Sequence, residues 1–205
     1  MPFNDMKINE FTERLSSGAP VPGGGSAAAL CAVLSSSLCS MALSLTAGKS
    51  AFAYCEQELG ESLEKAKRLS AEFLRLVDAD ADAFLPLSRA YAIKKDDPQR
   101  SAVMEDALLS AALVPLEVLH LCAEVLDICD FLSGNCSTLC VSDVGVAASL
   151  CRAALESSVI NIRVNVRLMK NESVKESIEN ETRKLFETCL TRSDIIIKKV
   201  WNILK

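Results

Sequence analysis

The sequence predicts an all-α fold, a bundle of about six to seven helices, several of them long, around one central helix of small residues. Three observations carry this. Half of the 205 residues are apolar but only 5% are aromatic; small side chains let helices approach closely, whereas strands favour aromatic and β-branched ones. Eight glycines and six prolines are too few for the many short turns of a β-sandwich. No charged residue occurs between Arg14 and Lys49, which suits a helix buried on most sides. The length fits a single domain, residues 1–205.

The first helix is expected over residues 5–16. Next comes Ala19–Ser26, APVPGGGS. Three glycines allow a sharp bend and a close approach of backbone to another group. Ser26 is a good N-cap for a helix over 26–47. The first turn of that helix presents free N–H groups and a positive dipole end, which suits a carboxylate or phosphate. The plain alternative is a tight connection between two helices. The phosphate-loop pattern Gly-x-x-x-x-Gly-Lys-Ser/Thr is absent. The charge-free stretch is long enough to raise a membrane span. About half of residues 27–47 are Ser or Ala, however, so a buried central helix is expected and no membrane partner.

Gly48 should end that helix. A third is expected over 51–94, with Gly60 as an interruption and Pro86 as a kink. Asp97-Pro98 reads as N-cap and first residue of a fourth, 98–131, kinked at Pro115 and ended by Gly134-Asn135. A fifth covers 138–170 and a sixth, amphipathic through Ile178, Leu185, Phe186, Cys189, Ile196 and Val200, covers 173–204. Ile160–Leu168, INIRVNVRL, alternates like a strand. It is read as helix because no second strand is available to pair with it.

Net charge is −5 and the pI is near 5.1. No basic stripe interleaved with aromatics occurs, so no nucleic-acid partner is expected. The nine cysteines mostly sit among Leu, Ala, Val and Ile, as small core residues do. The chain begins with charged and polar residues and no apolar core of a signal peptide, so a reducing cytoplasm is the expected compartment. Cys136 and Cys140 lie one helical turn apart, but His120 is the only histidine and no Cys-x-x-Cys occurs. No metal site is expected, and His120, in Val118–Leu121, reads as a core histidine.

The tract Phe73–Leu87, FLRLVDADADAFLPL, holds three aspartates. At about 100° per residue, Asp78 and Asp82 share a face with Arg75 and Arg89, where the four can pair in water. Asp80 falls on the face of Phe73, Leu76, Val77, Phe84 and Leu87. A carboxylate there is desolvated, paired, or set at a cleft. Desolvation raises its pKa, as a general acid or base near neutral pH requires. The alternative is a buried Asp that pins a neighbouring helix. Asp143 shares an apolar face with Cys140, Val146, Ala147, Leu150 and Ala154. Continued along the segment, that face reaches Asn161 and Asn165. This is a polar seam for a site, or for a helix–helix or dimer contact.

Taken together, these residues resemble a known family. Pro22-Gly23-Gly24-Gly25-Ser26-Ala27-Ala28-Ala29, Leu45-Thr46-Ala47-Gly48-Lys49, Leu76–Phe84, Val114-Pro115-Leu116, Ser142–Ala147, and Asn161 with Asn165 are similar, in order, to motifs of the cyclodeaminase/cyclohydrolase family. That family comprises formiminotetrahydrofolate cyclodeaminase and methenyltetrahydrofolate cyclohydrolase. The resemblance implies an all-helical homodimer acting on the one-carbon unit at N5 and N10 of tetrahydrofolate, with no metal or organic cofactor. Asp80 is then the expected acid/base, and Asp143 a cation stabiliser or orienter. Gly23, Gly24, Gly25, Ser26, Lys49, Asn161 and Asn165 are the expected substrate contacts. Hydrolysis of 5,10-methenyltetrahydrofolate is the first reading. Formiminotetrahydrofolate cyclodeamination, or a non-catalytic folate-binding helical dimer, are the alternatives.

Overall fold

The computed structural model describes residues 2–205. Six α-helices follow one another: α1 (Ile8–Leu15), α2 (Gly24–Thr46), α3 (Glu56–Tyr91), α4 (Arg100–Leu132), α5 (Val141–Val166) and α6 (Glu172–Ile203). Short 3-10 turns lie at Phe3–Asp5, Ser50–Cys55 and Thr138–Cys140, and there is no strand among the described residues.

The charge-free helix α2 is central and packs on α3, α4 and α5. Small residues bring the axes together: Ala28, Ala29, Ala32, Ser35, Ser36 and Ala42 are all buried. The buried Ser35 hydroxyl donates to the Ala147 carbonyl of α5 (2.7 Å), and Cys39 touches Cys129 of α4, sulfur to sulfur at 3.4 Å. These thiols are free and behave as compact core side chains. The register shows α3 antiparallel to α2, since Ser26 meets Asp80, Ser37 meets Ser70 and Gly48 meets Glu56. By the same test α4 runs antiparallel to α3 through Arg75–Glu117 and Arg68–Glu124, and α6 antiparallel to α5 through Gly145 beside Val200 and Arg152–Asp194.

Several expectations change in detail. The N-cap of α2 is Gly23, not Ser26; Ser26 sits inside the first turn with its hydroxyl turned toward α3. Gly60, Pro86 and Pro115 lie within α3 and α4, which continue past them. Residues 160–166 are helical: Ile162 and Val166 face the core while Asn161 and Asn165 line another side. His120 is exposed and its Nε2 contacts Glu181 Oε1 at 2.8 Å, because position 120 falls on the outer face of α4. Arg75 pairs with Glu72 and Glu117 rather than with Asp78. Asp78 instead accepts the Phe3 N–H (2.5 Å), tying the N-terminal turn to α3. By length and composition alone, Gly24–Thr46, Arg100–Leu132 and Thr138–Val166 could each cross a membrane. In this fold about half of each apolar window is buried against the other helices.

Candidate active site

The site forms where the start of α2 meets the middle of α3 and the last turns of α5. Gly23, Gly24 and Gly25, together with Pro20, Val21, Asp80, Phe84, Ala111, Asn161, Val164 and Asn165, enclose a cavity of about 180 Å³. The loop entering α2 turns at a cis Val21–Pro22 bond and is held from α1 by Arg14 Nε on the Val21 carbonyl (3.4 Å).

Asp80 is the centre of the arrangement. Its apolar neighbours on α3, Phe73, Leu76, Val77 and Leu87, are fully buried. Phe84, one turn on, lines the cavity. Burial pushes the Asp80 carboxyl above its ordinary pKa, and hydrogen bonds from Ser26 oppose the shift only in part. Ser26 Oγ contacts both Asp80 Oδ2 (3.0 Å) and the Val77 carbonyl (2.9 Å), and the Ser26 N–H also donates to the carboxylate. The anion at the positive end of α2 is therefore the protein's own Asp80. This corrects the expectation that the glycine turn would hold an anionic ligand: that end of the helix is already occupied, from 54 residues away in sequence.

The glycines have a specific steric task. A Cβ on Gly25 would lie 1.8 Å from Asp80 Oδ1, and one on Gly24 would lie 3.4 Å from Asn161 Oδ1. Only a bare backbone at 25 lets the carboxylate reach the first turn of α2. On α5, Asn161 Nδ2 donates to the Ser157 carbonyl (2.8 Å). Asn165 Nδ2 donates to the Asn161 and Ala111 carbonyls (3.0 Å each). With both amide nitrogens committed to backbone, the carbonyl oxygens remain as acceptors. The lining thus offers a carboxylate and two amide oxygens, and includes no Lys or Arg. Such a surface suits a ligand rich in N–H groups or carrying positive charge.

Not all the expected residues meet here. Gly23, Gly24, Gly25, Ser26, Asp80, Asn161 and Asn165 do. Lys49 lies past the other end of α2, about 33 Å along the axis, where its ammonium donates to Ser137 Oγ (3.0 Å). Asp143 occupies the first turn of α5, about 27 Å from Asn161 along that helix. Within one chain neither reaches Asp80. The helical face shared by Asp143 and Asn161 is real, but a face fixes direction and not distance. Among residues not singled out in the sequence, Val164 and Ala111 also line the cavity. Val164 lies three residues after Asn161 and was findable by spacing; Ala111, on α4, gave no signal.

Comparison with known proteins decides the lineage. The profile described as formiminotransferase-cyclodeaminase matches residues 7–184. The chain belongs to this family. A methenyltetrahydrofolate cyclohydrolase from Methylorubrum extorquens is 30% identical over 202 residues, spanning 97% of this chain and 95% of that protein. A formimidoyltransferase-cyclodeaminase from Mus musculus is 26% identical over 198 residues, 94% of this chain but 36% of the mouse protein. This family member therefore spans about a third of the mouse relative's length. The crystal structure of formiminotetrahydrofolate cyclodeaminase from Thermotoga maritima superposes with a TM-score of 0.85 over 95% of this chain and 96% of that one, at 21% identity, which establishes the shared helical fold.

Proposed function

We propose that this chain is a folate one-carbon enzyme that hydrolyses 5,10-methenyltetrahydrofolate to 10-formyltetrahydrofolate. One observation carries the reading: the desolvated Asp80 carboxylate in a cavity of acceptors with no basic side chain. The reacting carbon of the substrate sits in a cationic amidinium between N5 and N10. A carboxylate beside it stabilises that charge and orients a water. As the water oxygen bonds to the carbon, Asp80 takes one of its protons. The proton then passes to N5 as the carbon–N5 bond breaks. Loss of the remaining hydroxyl proton to solvent leaves the N10-formyl product. The raised pKa makes Asp80 a stronger base toward the attacking water than an ordinary carboxylate is. Proton transfer and electrostatics account for every step, so no metal or organic cofactor is invoked.

The Methylorubrum relative, matched over nearly its whole length, favours hydrolysis. The second reading is cyclodeamination, favoured by the names of the mouse and Thermotoga relatives. There N10 attacks a formimino carbon and ammonia departs with a proton, which the same carboxylate can supply. The test is the absorbance of methenyltetrahydrofolate, followed with enzyme and without. Loss above the spontaneous rate supports hydrolysis. Turnover of formiminotetrahydrofolate alone would assign the deaminase. Binding of both without turnover would make the protein a folate-binding module.

We also propose a homodimer working in a reducing cytoplasm, without nucleic-acid or membrane partners. Leu30, Leu34, Leu38, Met41 and Leu45 form one stripe on α2, with Leu34 49% and Leu45 50% exposed, in a segment free of charge. A cavity of about 180 Å³ is smaller than the roughly 300–1,000 Å³ that encloses a drug-sized ligand. A second copy covering the stripe would extend it. Light scattering checks this: Leu34→Glu should convert a dimer to monomer.

A further inference from the structure

The face of the bundle between α5 and α6 carries a second cavity, of about 410 Å³. Arg163 in the last turn of α5 and Arg167 at its C-cap line it together with Arg183 of α6. Four of the arginines outside this cavity, Arg68, Arg75, Arg152 and Arg192, pair with carboxylates, while Arg14 and Arg100 donate to the Val21 and Ile93 carbonyls. None of the three here makes an ion pair among the described residues. Arg183 is steadied by a neutral partner, donating from Nη2 to Asn180 Oδ1 (2.8 Å). One carboxylate, Glu179, also lines the cavity, so the balance is three guanidiniums against one acid.

A second, independent observation comes from Thr182 on the same wall. It is 3% exposed, and its hydroxyl has no hydrogen-bond partner. Threonines on helices ordinarily bond back to the carbonyl four residues earlier. Thr188 and Thr191 on the same helix do so, at 2.9 and 3.0 Å. Thr182 does not. A buried hydroxyl left unpaired is costly, and Thr182 is one of the residues that line the cavity beside the three arginines.

We infer that this cavity is a binding site for a multiply charged oxyanion, a phosphoryl or polycarboxylate group. Guanidiniums grip such groups through paired N–H donors, and the unpartnered Thr182 hydroxyl supplies a further donor once it rotates toward the cavity. The site lies on the same stretch of α5 as Asn161 and Asn165 but on another face of the helix. It stands independently of the reaction proposed above. The anion has two sources, a free phosphate compound or the carboxylates of the folate itself.

The test is calorimetric titration of the full chain with inorganic pyrophosphate and with inorganic phosphate, at constant ionic strength against chloride. Saturable binding of pyrophosphate at one per chain is expected. Arg167→Ala and Arg183→Ala should each weaken it on the order of tenfold, as loss of a charged hydrogen-bonding partner does. Thr182→Val should weaken it severalfold while keeping the helical circular dichroism. Absence of saturable binding, or equal binding by wild type and the two arginine variants, overturns the site. Pyrophosphate that raises the KM for the folate, with the same KM already raised in Arg167→Ala, identifies the substrate's carboxylates as occupant. Pyrophosphate binding with an unchanged KM identifies a free phosphate compound.

Discussion

At one end of the bundle, the first turn of α2 meets Asp80 from α3 and Asn161 and Asn165 from α5, around a cavity. At the other end, the finish of α2 meets the start of α3 and the turn before α5. There Gly48 donates to Glu56, Lys49 to Ser137, the Ser137 N–H to Thr46 Oγ1, and the Tyr54 hydroxyl to Asn135 Oδ1. The same helices build both ends, yet their polar groups are used differently. At the far end donors and acceptors satisfy one another in side-chain and backbone pairs. At the Asp80 end a carboxylate is partly desolvated and two amide oxygens face the cavity without a donor from the protein. Unmet capacity, rather than the mere presence of polar residues, marks where a ligand belongs.

The sharpest way to break this contrast is Asp80→Asn. It should lower methenyltetrahydrofolate hydrolysis by about 10²–10⁴-fold, the usual share of a general acid–base, with circular dichroism unchanged. Wild-type rates would remove Asp80 from the chemistry. Gly25→Ala should come next. Its methyl would overlap Asp80 Oδ1, and displacing the carboxylate by about 1 Å costs on the order of 10²-fold; a steady-state assay of the folded variant checks it.

A third experiment asks whether the two ends ever meet. A two-fold axis across the middle of the α2 stripe, near Leu38, would set the helices of two copies antiparallel. The Lys49 end of one would then lie over the Asp80 end of the other. Asp80→Asn and Lys49→Ala chains, refolded together, should then recover about a quarter of wild-type activity, since half of randomly paired dimers are hybrids with one intact site. A mixture as inactive as its parents would confine the site to a single chain. Asn161→Ala and Asn165→Ala should have smaller effects, roughly tenfold each and mainly in KM, as expected for lost hydrogen bonds.

The smallest effect is thermal. The folded Asp80 carboxyl has a pKa above its ordinary value. Its stabilising contribution is therefore fully present at acid pH, below that ordinary value, and is lost as pH rises through the raised one. The melting temperature of Asp80→Asn should gain on that of the wild type between pH 4 and pH 7. Scanning calorimetry at both values reads the difference, and a constant gap would contradict the desolvation.

How far was this legible in one dimension? The helical bundle was, because scarce Gly and Pro, few aromatics and a long charge-free run are compositional facts. The environment of Asp80 was also legible, since spacing placed it with Phe73, Val77 and Phe84, and two of these are in the core. Helix ends were less so: residues 51–55 and 138–140 read as helix and belong to the 3-10 turns Ser50–Cys55 and Thr138–Cys140. What could not be read was which group sits at the start of α2. That depends on the antiparallel register of α2 and α3, which no local pattern encodes. That Asp143 lies far from Asn161 along α5 was not legible for the related reason that periodicity reports the side of a helix and not the position along it.

The carboxylate proposed to carry the proton is also the counter-charge at the head of the molecule's most enclosed helix. Each time Asp80 is neutralised, that helix loses its electrostatic partner, and each time it ionises the partner returns. Reaction and architecture thus share one oxygen pair, so the head of that helix feels every proton the chemistry moves.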